Sequence, residues 1–430
     1  MHLTANGWWA IVIIALLSFL LNPLHYLSTG FVIWDLVRNV RSEREWFGIR
    51  VTRIGRTLIL RYARACLVGL VGSIALFACG VSVTWQSIAY VSAVSIVLGV
   101  IRSRFAATPF AVAAAAVISF CARQAHLSRV IGWSWLHVVE SFPIGAWLAI
   151  VAVSCCAECI MTFWGVRDAI LPALLTSRRG RRIGALKLQL GYAMPVAVWM
   201  HPLGGHALMW QSGFHPWRMP LGQPIEIGIL PLVFGLHAVF TGLRPQRALM
   251  HVRWFDLVRA LVAAAGFVLA RLYAPLVAVW AAILLILIAE VFRFLWRRID
   301  STVEPLYTPN NRGVRVLYTI RGSLSDKIGI RPGEIVTHVN QSPVHTEYDI
   351  HFAMEQNPAY ARFQVVDADG EVRLLSSPIF EGERHDLGLL LVVSSDEPAL
   401  RLNRPFGFLE TIYLRRAKKP HVTVTQPQAE

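Results

Sequence analysis

The sequence predicts a polytopic α-helical membrane domain followed by a small cytoplasmic α/β domain. Of its 430 residues, 55% are hydrophobic and 16% are charged, with a mean hydropathy of +0.51, whereas soluble domains carry about 25% charged residues. The apolar residues form long runs, and the basic residues gather in alternate connections between them. After Arg298 the composition changes to mixed charge, β-branched alternation and turn residues. These observations exclude an ordinary soluble enzyme and a largely disordered chain.

The apolar runs are long enough for several helices to cross a bilayer, which takes about 20 residues each. Gly7–Leu21 has no basic segment before it and no small-residue cleavage site, so we predict an uncleaved anchor. The stretch Leu24–Val37 that follows is predicted to be interfacial or re-entrant; the alternative counts it as a span of its own, which would move the short N-terminus inside and leave the C-terminal side unchanged. The further predicted spans are 64–84, 86–101, 105–121, 143–164, 188–202, 225–243, 257–273 and 276–296. We expect 86–101 with 105–121, and 257–273 with 276–296, to form helical hairpins.

The positions of the charges predict the topology. The 41 Lys and Arg residues exceed the 26 Asp and Glu residues by 15, which in a soluble protein would suggest nucleic acid. Here the arginines fill the connections at 38–64, 102–104, 167–187 and 244–259 and follow the last span at 297–298. The positive-inside rule then gives about nine spans, an outer N-terminus and a cytoplasmic C-terminal part. We predict a transmembrane domain over 1–298, a soluble domain over 299–393 and a tail over 394–430, and no nucleic-acid partner.

The first basic segment is a candidate membrane-surface site. Trp46 and Phe47 interleave with its arginines, as in an interfacial stretch that binds anionic lipid. A topology signal alone would also account for the charge, so both interpretations stay open. The candidate residues are Arg38, Arg41, Arg44, Arg50, Arg53 and Arg56.

The soluble segment carries the most specific motif. A strand candidate, Gly313–Ile320, precedes G-S-L-S-D-K-I-G-I-R-P-G-E-I-V-T-H-V-N-Q over 322–341. Serine at 323 or 325 can cap a short helix, and Pro332-Gly333 suits the centre of a type II turn. This pattern resembles the core of a bacterial PDZ domain, a partly open β-barrel with two helices. Its structural residues are Gly322, Gly329, Pro332, Gly333 and Asn340.

The PDZ resemblance implies a peptide-binding groove. Thr346–Gln356 would be the helix along the groove, with Ile350, Ala353 and Met354 facing inward. The carboxylate-binding Φ-G-Φ turn, in which Φ is apolar, is absent before Gly313 and occurs instead as Leu387, Gly388 and Leu389. We therefore predict a permuted strand order, in which the groove strand comes from the C-terminal end. A partner would add to it as an extra strand, with its terminal carboxylate held by backbone N–H groups. The alternative is that these three residues only complete the sheet.

The N-terminal part carries a second resemblance. The stretch L-N-P-L-H-Y-L over 21–27, with V-R-S-E-R-E-W-F-G-I-R over 40–50, is similar to the start of the MinJ-type cell-division topological determinants of Gram-positive bacteria. That family also combines many N-terminal spans with one C-terminal cytoplasmic PDZ domain. The resemblance implies a role in septum site determination at the septum and poles, as a bridge between the scaffold DivIVA and the division inhibitor MinD.

Enzymatic and transport functions are the alternatives. An intramembrane metalloprotease needs H-E-x-x-H within a span, and the nearest pattern, His201 to His206, has the wrong spacing and no Glu. No G-x-S-x-G is present either. For transport, Glu158 and Glu290 lie in predicted spans, but Arg293 lies one turn after Glu290 and suggests a structural ion pair.

We therefore interpret the chain as a multi-pass membrane scaffold and not as an enzyme. It would recruit cytoplasmic division or polarity proteins through a PDZ domain, without a cofactor or a metal ion. A PDZ-regulated membrane protease or transporter is the alternative. The sequence leaves the peptide specificity and the oligomeric state open, and a homo-oligomer is compatible with it.

Overall fold

A computed structural model describes residues 13, 15–17, 19–164, 170–176, 182–201, 208–209, 224–309, 311–357, 359–367, 370–379 and 387–392. The predicted tail, 394–430, lies outside these residues, and so does most of the predicted span Gly7–Leu21. In chain order the helices are α1 (Pro23–Phe47), α2 (Ile54–Ala78), α3 (Trp85–Ile101), α4 (Thr108–Gln124), α5 (Leu127–Ile131), α6 (Ser134–Glu140), α7 (Ile144–Trp164), α8 (Pro245–Leu272), α9 (Leu276–Thr302), α10 (Leu324–Ile328) and α11 (Glu347–Gln356). The strands are β1 (Ser82–Val83), β2 (Ile170–Thr176), β3 (Arg182–Met200), β4 (Leu208–Met209), β5 (Pro224–Phe240), β6 (Val314–Thr319), β7 (Ile335–Val339), β8 (Ser342–Pro343), β9 (Tyr360–Val366), β10 (Val372–Pro378) and β11 (Leu389–Val392).

The N-terminal region is helical and contains apolar helices of membrane-spanning length. Within the described residues, 3 helices are long and apolar enough to cross a bilayer, at Ile54–Ala78, Ile144–Trp164 and Leu276–Asp300. The apolar helices α3 and α4 are shorter. These helices support membrane association.

Both predicted helical hairpins are present. Helices α3 and α4 are joined by a 3-10 turn over Ser103–Ala106, and Pro109 stands in the first turn of α4. Helices α8 and α9 are joined through Tyr273, Ala274 and Pro275. Leu24–Val37 is not a separate interfacial element, because α1 continues from Pro23 through this stretch to Gly48, whose φ of 68° ends the helix.

The two predicted spans at 188–202 and 225–243 are wrong, because both segments are β-strands. Strands β3 and β5 form a long antiparallel hairpin, in which Pro195 lies opposite Pro231 and Gly191 opposite Gly235. A proline inside a helix removes a hydrogen bond and costs about 3 kcal/mol or more, and glycine is also unfavourable there. The central proline and the glycines of each run were the sequence signal against a helix. Among the described residues, two of the roughly nine predicted spans are therefore strands and not transmembrane helices.

Side chains of the surrounding helices satisfy the backbone of this hairpin. The N–H of Ala197 donates to Ser73 Oγ at 2.8 Å, and the N–H of Val233 donates to Thr108 Oγ1 at 2.9 Å. The guanidinium of Arg61 donates to the carbonyl of Gln189 at 3.3 Å. An apolar environment tolerates non-helical backbone only where protein groups replace water, so these polar side chains explain how the hairpin is accommodated among apolar helices.

Helix α2 approaches β3 closely at Gly69. A Cβ atom there would lie 2.1 Å from the carbonyl oxygen of Pro195, whereas a Cβ on Gly55 in the same helix would meet nothing within 4 Å. We expect Gly69→Ala to lower the stability of the full chain by about 1–3 kcal/mol, because the helix must move away from the strand. Gly55→Ala is the control and should be neutral or slightly stabilising. Thermal unfolding in detergent measures both, and equal melting temperatures would contradict the close packing.

The C-terminal domain is a sheet with the strand order β10-β9-β7-β6-β11 and β8 paired to β7. Its core contains side chains of β6, β7, β9, α10 and α11. Strand β11 comes last among the described strands and pairs antiparallel with β6, so that Leu389 lies opposite Thr319. The C-terminal end of the described chain thus supplies an edge strand.

The outer face of this sheet packs on the β3–β5 hairpin. The N–H of Gly184 donates to the carbonyl of Tyr307 at 2.7 Å, and a Cβ on Gly184 would meet Leu317, Tyr307 and Val392 within 3.0 Å. Tyr307 is fully buried, and burial raises the pKa of its phenol. The carboxylate of Asp300 accepts hydrogen bonds from Thr241 and Gly242. The C-terminal domain is therefore fixed against the N-terminal region.

Candidate functional site

Strand β11 lies between two apolar cores. Leu389 and Leu391 pack against the core of the C-terminal domain, whereas Val392 belongs to the core that includes the membrane-region hairpin. Successive side chains of a strand point to opposite faces of the sheet, so one face of β11 meets each core. Among the described strands, β11 pairs only with β6, so its other edge is the candidate site for an added strand.

The turn before β11 is fixed by the first helix of the domain. The carbonyl of Leu387 accepts hydrogen bonds from the N–H of Ser325, at 3.2 Å, and from its hydroxyl. The carbonyl of Gly388 accepts from the N–H of Ile320 at 2.7 Å. Gly388 has a φ of +65°, and a Cβ there would lie 2.2 Å from the Cβ of Ser323. Only glycine fits this position. The hydrogen bonds above direct the carbonyls of Leu387 and Gly388 toward α10 and the end of β6.

Helix α11 contributes the predicted inward residues to the same core. Ile350, Ala353 and Met354 are buried, as is Leu387. Thr346 and Asp349 form a capping box at the start of the helix. The backbone N–H groups of His345 and Thr346 lower the pKa of the Asp349 carboxyl by stabilising its charged form. The structure thus brings α11 and the Leu387–Leu389 turn to one core.

The predicted motif residues adopt the turns that the sequence requires. Gly322 has a φ of 81° and Gly329 a φ of 87°, on either side of α10, and Ser323 caps that helix. Gly333 has a φ of 98° after Pro332, and the N–H of Glu334 donates to the carbonyl of Arg331 at 3.3 Å. This is the hydrogen bond of a type II turn.

Asn340 joins three elements. Its Nδ2 donates to the carbonyl of Ala353 at 3.0 Å, and its Oδ1 accepts from the N–H of Arg362 at 2.9 Å. Asn340 and Gln341 both have positive φ, of 48° and 72°. The turn thereby connects α11 and β9, which the sequence did not predict.

Gln341 is in a backbone conformation that favours glycine. Positive φ costs a residue with a Cβ about 1–2 kcal/mol, so we expect Gln341→Gly to raise the free energy of unfolding by about 1 kcal/mol. Chemical denaturation of the full chain, followed in the C-terminal domain, measures the change. Gln364→Gly on β9 is the control, which should be destabilised because glycine weakens strands. A less stable Gln341→Gly variant would contradict the turn geometry.

An aromatic pair on α11 was missed by the sequence analysis. Tyr348 and Phe352 are 74% and 49% exposed, and their rings stack with 6.3 Å between centroids. The i, i+4 spacing on a helix could have revealed them. They form an exposed apolar surface on the helix whose opposite side carries the buried Ile350, Ala353 and Met354.

The candidate basic residues lie along α1, at the α1–α2 connection and on the first turn of α2. Arg41, Arg44, Arg50, Arg53 and Arg56 are exposed, and Arg38 is half-buried beneath Trp34, with its guanidinium carbon 5.4 Å from the ring centroid. The carboxylate of Glu43 accepts from the N–H groups of Val51 and Thr52 at 2.9 and 2.8 Å, which fixes the corner. The positive charges therefore gather where α1 ends and α2 begins, which we call the basic corner.

Three acidic residues of the helical region form ion pairs with arginines. Glu158 and Asp256 each accept from Arg259 at 3.2 Å, and all three side chains are at most 5% exposed. The predicted pair of Glu290 and Arg293 is confirmed. Within the part of the chain that the structure describes, no group of three or more His, Cys, Asp or Glu side chains could hold a metal ion. His206 of the weak histidine pattern lies outside the described residues.

The chain is similar in sequence to proteins that share one name. The chain is 24% identical over 397 residues to the cell division topological determinant MinJ of Bacillus subtilis (strain 168), and the match covers 88% of this chain and 94% of that protein. Two further relatives are probable cell division topological determinants MinJ, from Lacticaseibacillus paracasei and Lacticaseibacillus casei (strain BD-II). Each is 31% identical over 100 residues, which covers 23% of this chain and 26% of the relative. No protein-family model matches the chain.

Proposed function

Because this chain is a homologue of the MinJ-type cell-division topological determinants, we propose that it is a membrane-embedded scaffold that recruits cell-division proteins. It would act in septum site determination, with DivIVA-like and MinD-like proteins as its partners. The observation that carries the proposal is the match to a determinant of this name over 88% of the chain.

We propose that the C-terminal domain is a permuted PDZ domain and supplies the recruiting site. Its strand order ends with β11 beside β6, as a groove strand moved to the C-terminal end would require. The free edge of β11 would accept a peptide as an extra strand. Leu387, Gly388 and Leu389 would hold the terminal carboxylate, and Ile350, Ala353 and Met354 would support the groove from α11.

The N-terminal region would hold this domain at the cytoplasmic face of the membrane. The exposed arginines at the α1–α2 corner support contact with anionic lipid, because each basic residue near such a surface contributes about 1 kcal/mol. Anchoring in the bilayer and docking on the β3–β5 hairpin would fix the groove at a set height above the membrane. A homo-oligomer remains compatible with this arrangement.

A membrane protease or transporter is the less favoured function. No cluster of metal ligands occurs among the described residues, and the charges of Glu158, Asp256 and Arg259 are paired with one another. The burial of Glu158 and Asp256 with Arg259 supports a structural ion cluster.

The test follows fluorescent division proteins in cells that express the full chain or a variant. Removal of residues 300–430 should abolish recruitment to the septum. Leu389→Lys should also abolish it, because Leu389 packs toward the domain core beside the groove edge. The matched control, Leu374→Lys, changes a leucine that is 73% exposed on the opposite edge strand and should recruit normally. Unchanged recruitment without residues 300–430 would overturn the proposal.

A further inference from the structure

Helix α9 carries an apolar stripe that ends in charge. Trp280, Leu284 and Leu287 are 65%, 42% and 57% exposed. Glu290, Arg293 and Arg297 follow on the next turns of α9, each three or four residues after the one before, and lie to one side of this stripe. Such a stripe, apolar over several turns and then basic, matches the profile of a phospholipid lying along the helix.

A second element brings another guanidinium to the end of this stripe. Arg104, from the 3-10 turn between α3 and α4, donates to Glu290 at 3.0 Å, and its side chain is 21% exposed. Its guanidinium carbon lies 4.2 Å from the centroid of the Phe105 ring. Helices α4 and α9 pack against each other, so the cluster sits where two helices meet and is held by both.

The charges of this cluster do not balance. Among the described residues, Glu290 is the one carboxylate whose charge acts strongly on Arg104, against the guanidinium groups of Arg102, Arg293 and Arg297. Burial and these three neighbours lower the pKa of Arg104 to about 10, and Glu290 opposes the shift. The Nε of Arg104 also has no acceptor within the described part of the chain. A further anion would therefore relieve repulsion that Glu290 alone leaves.

We propose that Arg104, Arg293 and Arg297 bind the phosphodiester headgroup of an anionic phospholipid, whose acyl chains lie along Leu287, Leu284 and Trp280. Guanidinium groups bind phosphate oxygens through paired, charge-assisted hydrogen bonds. The exposed leucines continue from the charged cluster toward the middle of α9, where the acyl chains would extend. The site differs from the basic corner at α1–α2 and does not depend on the scaffold function.

The test is native mass spectrometry of the purified full chain in detergent, titrated with phosphatidylglycerol, phosphatidylcholine or inorganic phosphate. We expect the dissociation constant for phosphatidylglycerol to be at least fivefold lower than that for phosphatidylcholine. Arg104→Gln and Arg297→Gln should each raise it threefold or more, and together tenfold or more. Arg297 is exposed at the end of the helix, so its replacement leaves the fold intact even if Arg104→Gln disturbs the bundle.

Arg362→Gln is the control, because it removes one exposed charge from the C-terminal domain and should leave lipid binding unchanged. Equal binding of the two lipids, or unchanged binding by both arginine variants, would overturn the proposal. If Arg362→Gln weakened phosphatidylglycerol binding as much as the Arg104 and Arg297 variants do, the assignment of the lipid to α9 would be overturned. Inorganic phosphate that binds as tightly as phosphatidylglycerol would overturn the lipid assignment.

Discussion

Replacing Gly388 with alanine is expected to lower the free energy of unfolding of the C-terminal domain by about 3 kcal/mol or more and to abolish partner recruitment. Two costs add at this position. The positive φ strains any residue with a Cβ by about 1–3 kcal/mol. The new methyl group would also overlap Ser323, whose Cβ lies 2.2 Å from the Cβ position, and overpacking costs about 1–3 kcal/mol.

Gly370 offers a matched control for this substitution. Its φ of +87° imposes similar backbone strain, but a Cβ there would meet nothing within 4 Å. Gly370→Ala should therefore cost about 1 kcal/mol and leave recruitment intact. Chemical denaturation and imaging of septal partners measure the two effects. If the two variants behaved alike, close packing of the Leu387–Leu389 turn against α10 would be refuted.

Replacing Arg259 with leucine is expected to be the most destabilising single change in the helical region. It would leave Glu158 and Asp256 buried without their cation, and breaking a buried pair in this way costs about 3–5 kcal/mol. The full chain should lose most of its folded yield or melt at a markedly lower temperature. Thermal unfolding in detergent measures the loss.

The triple variant Glu158→Leu, Asp256→Leu, Arg259→Leu tests the cause. Removing all three charges leaves no unpaired buried ion, so stability should recover toward that of the parent chain. Arg293→Leu is the control for charge loss, because Arg293 and Glu290 are both 35% exposed and exposed pairs contribute about 0–1 kcal/mol. If the triple variant stayed as unstable as Arg259→Leu while Arg293→Leu kept the stability of the parent chain, the loss could not be due to unpaired buried charge alone.

Local patterns predicted the turns of the C-terminal β-rich region. Gly322, Gly329 and Gly333 all have positive φ, and Ser323 caps α10. These features follow from neighbours in sequence, so the sequence is enough to locate them. A strand supplied from the C-terminal end was also predicted, because a missing turn motif upstream and a matching one downstream implied permutation, but its pairing with β6 was not.

The membrane region was predicted less well. Hydropathy and charge alternation identified its apolar segments. They do not distinguish a helix from a strand where side chains of neighbouring helices can form hydrogen bonds with the strand backbone. Pro195 and Pro231, which lie opposite each other in the hairpin, were the local evidence against helices, but the apolar length of both runs matched that of a span. The polar groups that complete the hairpin, such as Ser73 and Thr108, come from helices more than 100 residues away.

By itself, the sequence determined that the protein has an apolar, basic-flanked helical region and a small β-rich domain with a specific set of turns. These properties depend on composition and on residues adjacent in sequence, because the hydropathy of a segment and the φ preference of a residue do not require contacts with distant segments. Only the tertiary structure decided that two apolar runs form a β-hairpin, that Arg259 pairs with both Glu158 and Asp256, and that β11 is shared between two cores. These depend on which side chains meet across distant parts of the chain, since a buried charge or backbone group is stable only where another segment supplies its partner.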